Sequence, residues 1–438
     1  MRRLSVLIIA FFIAFAVIGP HTVVKENVEN WNNETYWKYN PAGVPPEWYG
    51  EFIGLPKTEW LHGVYENGSF VYYYDFHYNK APQDILIIPN LTRSLKISII
   101  DPLGRKYLLW NGIIPGSLKV GTLTSSIEEI ADEKCVPKPT WSQLLFHNPL
   151  KAIFSKPGTD CVFNFVPLKG TYRIVITGSY GGLQPGDEPR VRILGLSYGR
   201  LGTDVYGRDV WTGFAYGARQ TIIISLLGAG ILALLSLALG SLSVISTRAG
   251  SLINVISKIL ASTPSLPLAV ILVVLLGRLE VVRMTTIKIQ MNPYAMALVV
   301  AIVFIGTSSR KIRSIVEEEL RRGYIESSKA LGASPLQILR LHVLPVLIPY
   351  TVYLFSMSVP GVIAFITLLG FFNVVPGFNW GTLMSTPLMA GIAKYVPYWW
   401  QIVPLGISLG AIAYAFIDLG RTVERKFLER PKTLKTQN

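Results

Sequence analysis

Residues 324–345 read Tyr-Ile-Glu-Ser-Ser-Lys-Ala-Leu-Gly-Ala-Ser-Pro-Leu-Gln-Ile-Leu-Arg-Leu-His-Val-Leu-Pro, a polar, helix-forming stretch between two apolar runs. The pattern predicts a hairpin whose first helix runs from about Ser314 to Leu331. Glu317/Arg321 and Glu318/Arg322 stand at i,i+4 with the acid first, the order that stabilises a helix by a few tenths of a kcal/mol per pair. Gly323 weakens that helix in its middle. Gly332 suits a C-terminal cap, where a left-handed backbone makes a Cβ costly. Ser334 then reads as the N-cap of a second helix, with Pro335 at its first position and Gln337 completing a capping box. Pro345 opens the next apolar run without losing a needed donor. A connector could be far shorter, so an elaborately capped hairpin points to a docking element.

The apolar runs around it are long enough to cross a bilayer, for which about 17–25 residues are needed. They are 221–246, 252–277, 293–308, 345–371 and 399–417, preceded by Leu4–Gly19. The first run follows Arg2 and Arg3 and so also resembles a signal peptide. Pro20 directly after Gly19, the one small-residue cleavage point, favours a retained anchor. The reading is therefore six spans. A composition that is 50% hydrophobic and only 16% charged agrees with it.

The formal charge of +14 belongs to topology, not to nucleic acid. Residues 20–200 hold 18 basic and 17 acidic residues, and no basic face stands out there. The excess sits beside the spans: Arg2/Arg3, 309–345 and the tail after Ile417. Positive charge at span ends is held on the cytoplasmic side, so both termini and the hairpin are expected there. The loop at 278–292, with Arg278, Arg283 and Lys288 against Glu280, runs against that rule, because six spans place it outside.

Residues 21–195 contain no span. Strands are expected at Phe70–His77, Ser94–Asp101, Lys106–Trp110, Cys161–Val166, Thr171–Thr177 and Val191–Leu194, which predicts an all-β, sandwich-like domain inserted between the first and second spans. The chain's two cysteines, Cys135 and Cys161, both lie in it, and an isolated pair in an external domain is expected to form a disulfide. Its three Asn-X-Ser/Thr sequons begin at Asn33, Asn67 and Asn90 and favour the same exterior placement. The expected organisation is 1–20 first span, 21–195 extracytoplasmic domain, 196–220 external elbow, 221–430 five-helix core with the loop at 309–345, and 431–438 cytoplasmic tail.

At this point the residues resemble a family. Glu326-Ser327-Ser328-Lys-Ala330-Leu331-Gly332, followed by Leu344-Pro345, is similar to the coupling loop of ABC-importer permeases, with two serines in place of alanines. Leu201-Gly202-Thr203-Asp204-Val-Tyr-Gly207-Arg208-Asp209-Val210, leading to Tyr216-Gly-Ala-Arg219, resembles the segment before the second span in oligopeptide/dipeptide permeases of the C type. Pro264-Ser-Leu266, Leu369-Gly370 and Trp380-Gly381 fit in order, so the resemblance covers about 196–430 and the first span. It implies an α-helical membrane subunit that moves peptides. Its implied partners are a second, non-identical permease, two ABC ATPase subunits, an external solute-binding protein and membrane lipid. Two departures stand out: the insert is far larger than the usual external loop, and Lys258 stands where an acid is common.

In the elbow, Asp204 or Asp209 is expected to pair with Arg208 or Arg219 and fix the entry to the second span. No phosphate-binding Gly-x-x-x-x-Gly-Lys-Ser/Thr occurs, so ATP and Mg²⁺ are expected on partner ATPases, with no cofactor and no enzyme activity in this chain. No metal-ligand pattern occurs either, and the histidines, His342 among them, read as surface or packing residues. Oligosaccharides or nickel are alternative cargoes. A membrane-anchored surface-binding protein is the alternative of another class.

Overall fold

A computed structural model describes residues 2–245, 247–283, 286–372, 374, 378–386 and 398–428. The expected tail 431–438 lies outside them. The chain forms two compact units, one of residues 1–28 with 212–438 and one of residues 29–211. Helix α1 (Arg2–Ile18) opens the chain.

The unit of residues 29–211 is built on two antiparallel sheets. One has the order β2 (Gly63–Glu66), β3 (Ser69–Phe76), β8 (Gly170–Gly178), β5 (Ser94–Ile100) and β6 (Lys106–Ile113). The other has the order β1 (Glu59–Leu61), β9 (Arg190–Leu194), β4 (Asp84–Ile88) and β7 (Leu118–Lys119). Successive residues of a strand face opposite sides. Phe70, Tyr72, Tyr74 and Phe76 of β3 therefore point one way, in register with Ile176, Ile174 and Tyr172 of β8. Ile97 of β5 continues the row opposite Ile176. Ile85 and Ile87 of β4 and Val191 and Ile193 of β9 join the same buried core.

The all-β expectation is corrected here. Helices α2 (Glu47–Ile53), α3 (Thr124–Lys134) and α4 (Trp141–His147) belong to the unit, and Ile127, Ile130 and Leu144 sit in its core. Cys161–Val166 is not a strand. The Asp160 carboxylate accepts the N–H groups of Val162, Phe163 and Asn164 at 2.8, 3.1 and 3.3 Å, which curls the chain away from any ladder. Cys135 and Cys161 are joined by a disulfide with Cα atoms 5.5 Å apart.

In the other unit, among the described residues, five helices are long and apolar enough to cross a membrane, or six if a bent pair is one span. After α1 come α5 (Val210–Ile245), α6 (Thr247–Ser262), α7 (Ser265–Leu276), α8 (Pro293–Leu320), α9 (Gly323–Ala330), α10 (Pro335–Phe371) and α11 (Trp399–Val423). The expected span 252–277 is the bent pair: α6 and α7 meet at 103°. Pro264 has no N–H and disfavours helical backbone at Thr263, so the helix stops there and restarts. The basic loop that follows is a two-stranded hairpin, β10 (Arg278–Arg283) with β11 (Thr286–Gln290). Helix α5 begins at Val210, so the elbow is shorter than expected.

Close backbone approach ties α8 to its neighbours. A Cβ on Gly306 would lie 2.6 Å from Ala261 N and 2.8 Å from Ser257 O on α6. The hydroxyls of Ser257 and Ser309 meet at 2.9 Å beside that contact. On α5, a Cβ at Gly240 would strike Ile312. Small residues that let helix backbones touch are a recurrent device of membrane bundles.

Candidate functional site

The hairpin differs from its expected form at two places, the first at the end of α8. Helix α8 ends at Leu320 and α9 starts afresh at Gly323, because Arg322 turns extended at φ −77°, ψ 139°. The buried Glu319 carboxylate takes Arg322 Nε at 3.0 Å across that turn. The expected i,i+4 pairs are therefore replaced, and Glu317 accepts Arg313 Nε at 2.7 Å. Arg313 also donates to the Gly250 carbonyl, which anchors the start of α6.

From Gly332 to Gln337 the sequence reading and the structure coincide. Gly332 is left-handed at φ +85°. Ser334 Oγ accepts the Gln337 N–H at 3.3 Å, and Gln337 Oε1 accepts the Ser334 N–H at 2.7 Å. The second helix does not stop before Pro345. Residues Leu339–Val343 form a π turn, and the helix continues without interruption to Phe371. A proline leaves one upstream carbonyl without its α-helical donor, and a wide turn just before it accommodates that loss.

The two faces of the hairpin are chemically distinct. Inward, Ile325 of α9 packs with Ile338, Leu339, Val343 and Leu347 of α10 and with Ile312 and Val316 of α8, and the half-buried Leu344 lies against them. Outward, Leu331 is 89% exposed and Leu336 64%, with Leu341 and Tyr324 also exposed. Glu326, Ser327, Ala330 and Pro345 are exposed too. Such bare leucines on a capped frame make an exposed apolar face with small residues beside it.

His342 has a part that sequence reasoning missed. Its Nε2 lies 3.2 Å from Ser328 Oγ, and its ring centroid lies 5.4 Å from that of Tyr324. Ser328 also donates to the Tyr324 carbonyl at 2.9 Å. The imidazole thus holds α9 to the π turn. No local spacing announces this, because the contact joins residues from two helices.

The elbow is a folded knot within the other unit. Asp204 is buried and accepts the N–H groups of Tyr206 and Arg208 at 2.9 Å each, and Arg208 Nε at 2.6 Å. Burial pushes its carboxyl above the ordinary carboxylate value, and the Arg208 guanidinium opposes that rise. Arg208 also lies over the Trp31 ring at 4.6 Å and the Tyr206 ring at 5.1 Å. Thr203 Oγ1 accepts the Val44 N–H at 3.1 Å. Gly202 and Gly207 have φ of +71° and +80°, and a Cβ on Gly207 would lie 2.8 Å from Trp37 O. Asp209 Oδ1 accepts the Trp211 N–H at 3.3 Å, capping α5. Of the expected pairings, Asp204 with Arg208 is present; Arg219 lies further along α5, exposed.

Within the helical unit, Trp380 is fully buried. Its Nε1 donates to Phe214 O at 2.9 Å and its ring stacks on Phe214 at 5.4 Å. A Cβ on the neighbouring Gly381 would lie 2.2 Å from Thr367 O, so glycine is required for α10 to approach. Among the described residues no group of three or more His, Cys, Asp or Glu could hold a metal ion.

Comparison with known proteins finds permease proteins of peptide transport systems among the relatives of this chain. The chain is 30% identical over 211 residues to the di/tripeptide transport system permease protein of Pseudomonas aeruginosa (strain UCBPP-PA14), covering 47% of this chain and 63% of the relative. It is 25% identical over 225 residues to the dipeptide transport system permease protein of Bacillus subtilis (strain 168), covering 50% and 65%. The chain thus spans less than two thirds of the length of these relatives. An inward-facing form of the MetNI methionine ABC transporter overlays at a TM-score of 0.38 and 19% identity, covering 48% of this chain and 96% of that one, a likeness too low to carry an argument. Residues 233–422 match the family of binding-protein-dependent transport system inner membrane components. They take in the capped hairpin, the π turn and the close-packed helices around Gly306, so this segment of the chain is the part that resembles that family.

Proposed function

We propose that this chain is the transmembrane subunit of an ATP-driven importer that carries peptides, working with a second permease, two ATPase subunits and a solute-binding protein. ATP and Mg²⁺ belong to the ATPases. The observation that carries the reading is the two-faced hairpin: Ile325, Ile338 and Val343 lock it to α8 and α10, while Leu331 and Leu336 stand bare for a partner. Both termini and the hairpin lie in the cytoplasm, as the charge at the span ends favours. The unit of residues 29–211, with its disulfide, lies outside. Peptide is the cargo named for both relatives above.

ATP binding closes the ATPases, moves the hairpin and thereby switches access through the bundle, with free energy entering as differential docking between two states. The test is a single thiol at Ala330→Cys, which is the only free one because Cys135 and Cys161 are bonded. In membranes holding the assembled transporter it should cross-link to an ATPase subunit. Absence of that adduct in every nucleotide state refutes the reading.

A further inference from the structure

The three sequons differ in what their asparagines do. Asn33 Oδ1 accepts the Thr35 N–H at 3.2 Å as a helix cap, and its Nδ2 donates to Asn30 Oδ1 at 3.1 Å. Asn90 Nδ2 donates to the Gly186 carbonyl at 3.2 Å, joining two loops. Asn67 sits at the tip of the β2–β3 hairpin, exposed, at φ +46° with Gly68 at +78°. Its side chain makes no hydrogen bond among the described residues. Gly68 meets Gly182 at 3.1 Å from its would-be Cβ and accepts the Leu183 N–H at 2.8 Å, so the turn is braced from the Gly68 side. Asparagine followed by glycine is the preferred pair for such a hairpin turn, which leaves the amide pointing outward at no cost to the ladder.

We propose that Asn67 carries an N-linked glycan and that Asn33 and Asn90 do not. This rests on the exterior placement of the unit proposed above. The donor is a lipid-phosphate-linked oligosaccharide: Nδ2 bonds to the sugar C1 as the C1–O bond to phosphate breaks, and the displaced amide proton leaves with the phosphate. A glycan on Asn67 displaces no contact of the fold. On Asn33 or Asn90 it replaces a hydrogen on a nitrogen that already donates.

The experiment is glycopeptide mass spectrometry of the full chain purified from its native membranes. The Asn67 peptide should carry a glycan mass, the Asn33 and Asn90 peptides should not, and Ser69→Ala, which leaves the turn residues intact, should abolish the adduct. In parallel, Tyr180→Cys, at a position 93% exposed, is labelled in intact cells with a membrane-impermeant maleimide. Labelling with an unmodified Asn67 overturns the proposal alone. A glycan on Asn33 or Asn90 instead of Asn67 also overturns it. A thiol that labels only in broken cells overturns the exterior placement and the proposal together.

Discussion

Replacing Leu331 with serine tests whether the exposed leucines of the hairpin bind a partner. Leu331 is 89% exposed in the isolated chain, so almost its whole side chain remains to be buried on docking. Burying a leucine fully stabilises by roughly 1.5–3 kcal/mol. Leu331→Ser should therefore weaken binding of the ATPase subunits by about 2 kcal/mol, or about 30-fold in Kd. Because the residue supports nothing inside the chain, the unfolding temperature of the permease should stay unchanged. The assay titrates labelled ATPase subunits onto the permease pair in nanodiscs. Ile325→Ala is the contrasting variant: Ile325 is fully buried, and its truncation should cost about 2–5 kcal/mol of stability. Binding by Leu331→Ser within twofold of wild type would refute the reasoning, since no partner could then be burying that side chain.

Two further outcomes are expected. Ser334→Ala removes one half of the capping box and should destabilise the start of α10 by about 1 kcal/mol, seen as faster hydrogen exchange at the Leu336–Ile338 amides; unchanged exchange would mean the cap is idle. In the unit of residues 29–211, desolvation pushes the buried Lys134 ammonium from 10.5 down to about 8. The unfolded chain then holds the proton over a range where the folded one has lost it. Stability should be flat below pH 8 and rise between pH 8 and 10.5, by about 3 kcal/mol in all. Slower exchange at the Ile127–Ala131 amides on going from pH 8 to 9.5, after correction for intrinsic rates, checks this; Lys134→Met should abolish the change.

What the sequence made legible was local chemistry. Ser334-Pro335-Leu336-Gln337 announces its capping box, Gly332 its left-handed turn, and Thr171–Thr177 its alternating face. What stayed hidden depends on distant partners or on choices between equal local signals. Gly63–Glu66 is a short edge strand with Val64 and Tyr65 exposed, so it has no alternation to read and forms only by pairing with β3. Leu320, Arg321 and Arg322 suit a helix, yet the buried Glu319 and its arginine end one there. Pro264 was visible, but an apolar run of spanning length outweighed it. At the hairpin, the caps could be read directly, whereas the clasp of His342 on Ser328 and Tyr324 required two helices to be brought together.

The continuity of α10 decides how a force on the hairpin would travel. From Pro335 to Phe371 the helix is 37 residues long, about 55 Å at 1.5 Å per residue, which exceeds the hydrocarbon thickness. A displacement at Leu331 reaches Ile325, and Ile325 shares one packed cluster with Ile312 and Val316 of α8 and with Leu347 and Leu354 of α10. Packed interiors resist compression and transmit strain, so α8 and α10 would move with α9. Two places along this path differ from rigid helix. At Gly306 the backbones of α8 and α6 touch, so α6 is carried along and not left behind. At Leu339–Val343 the wide π turn, clasped by His342, is where the helix departs from regular winding and where rotation between hairpin and span would cost least. If a partner pushes on the hairpin, as proposed, it would act as a lever that is stiff where it meets its helices and changes winding just before Pro345.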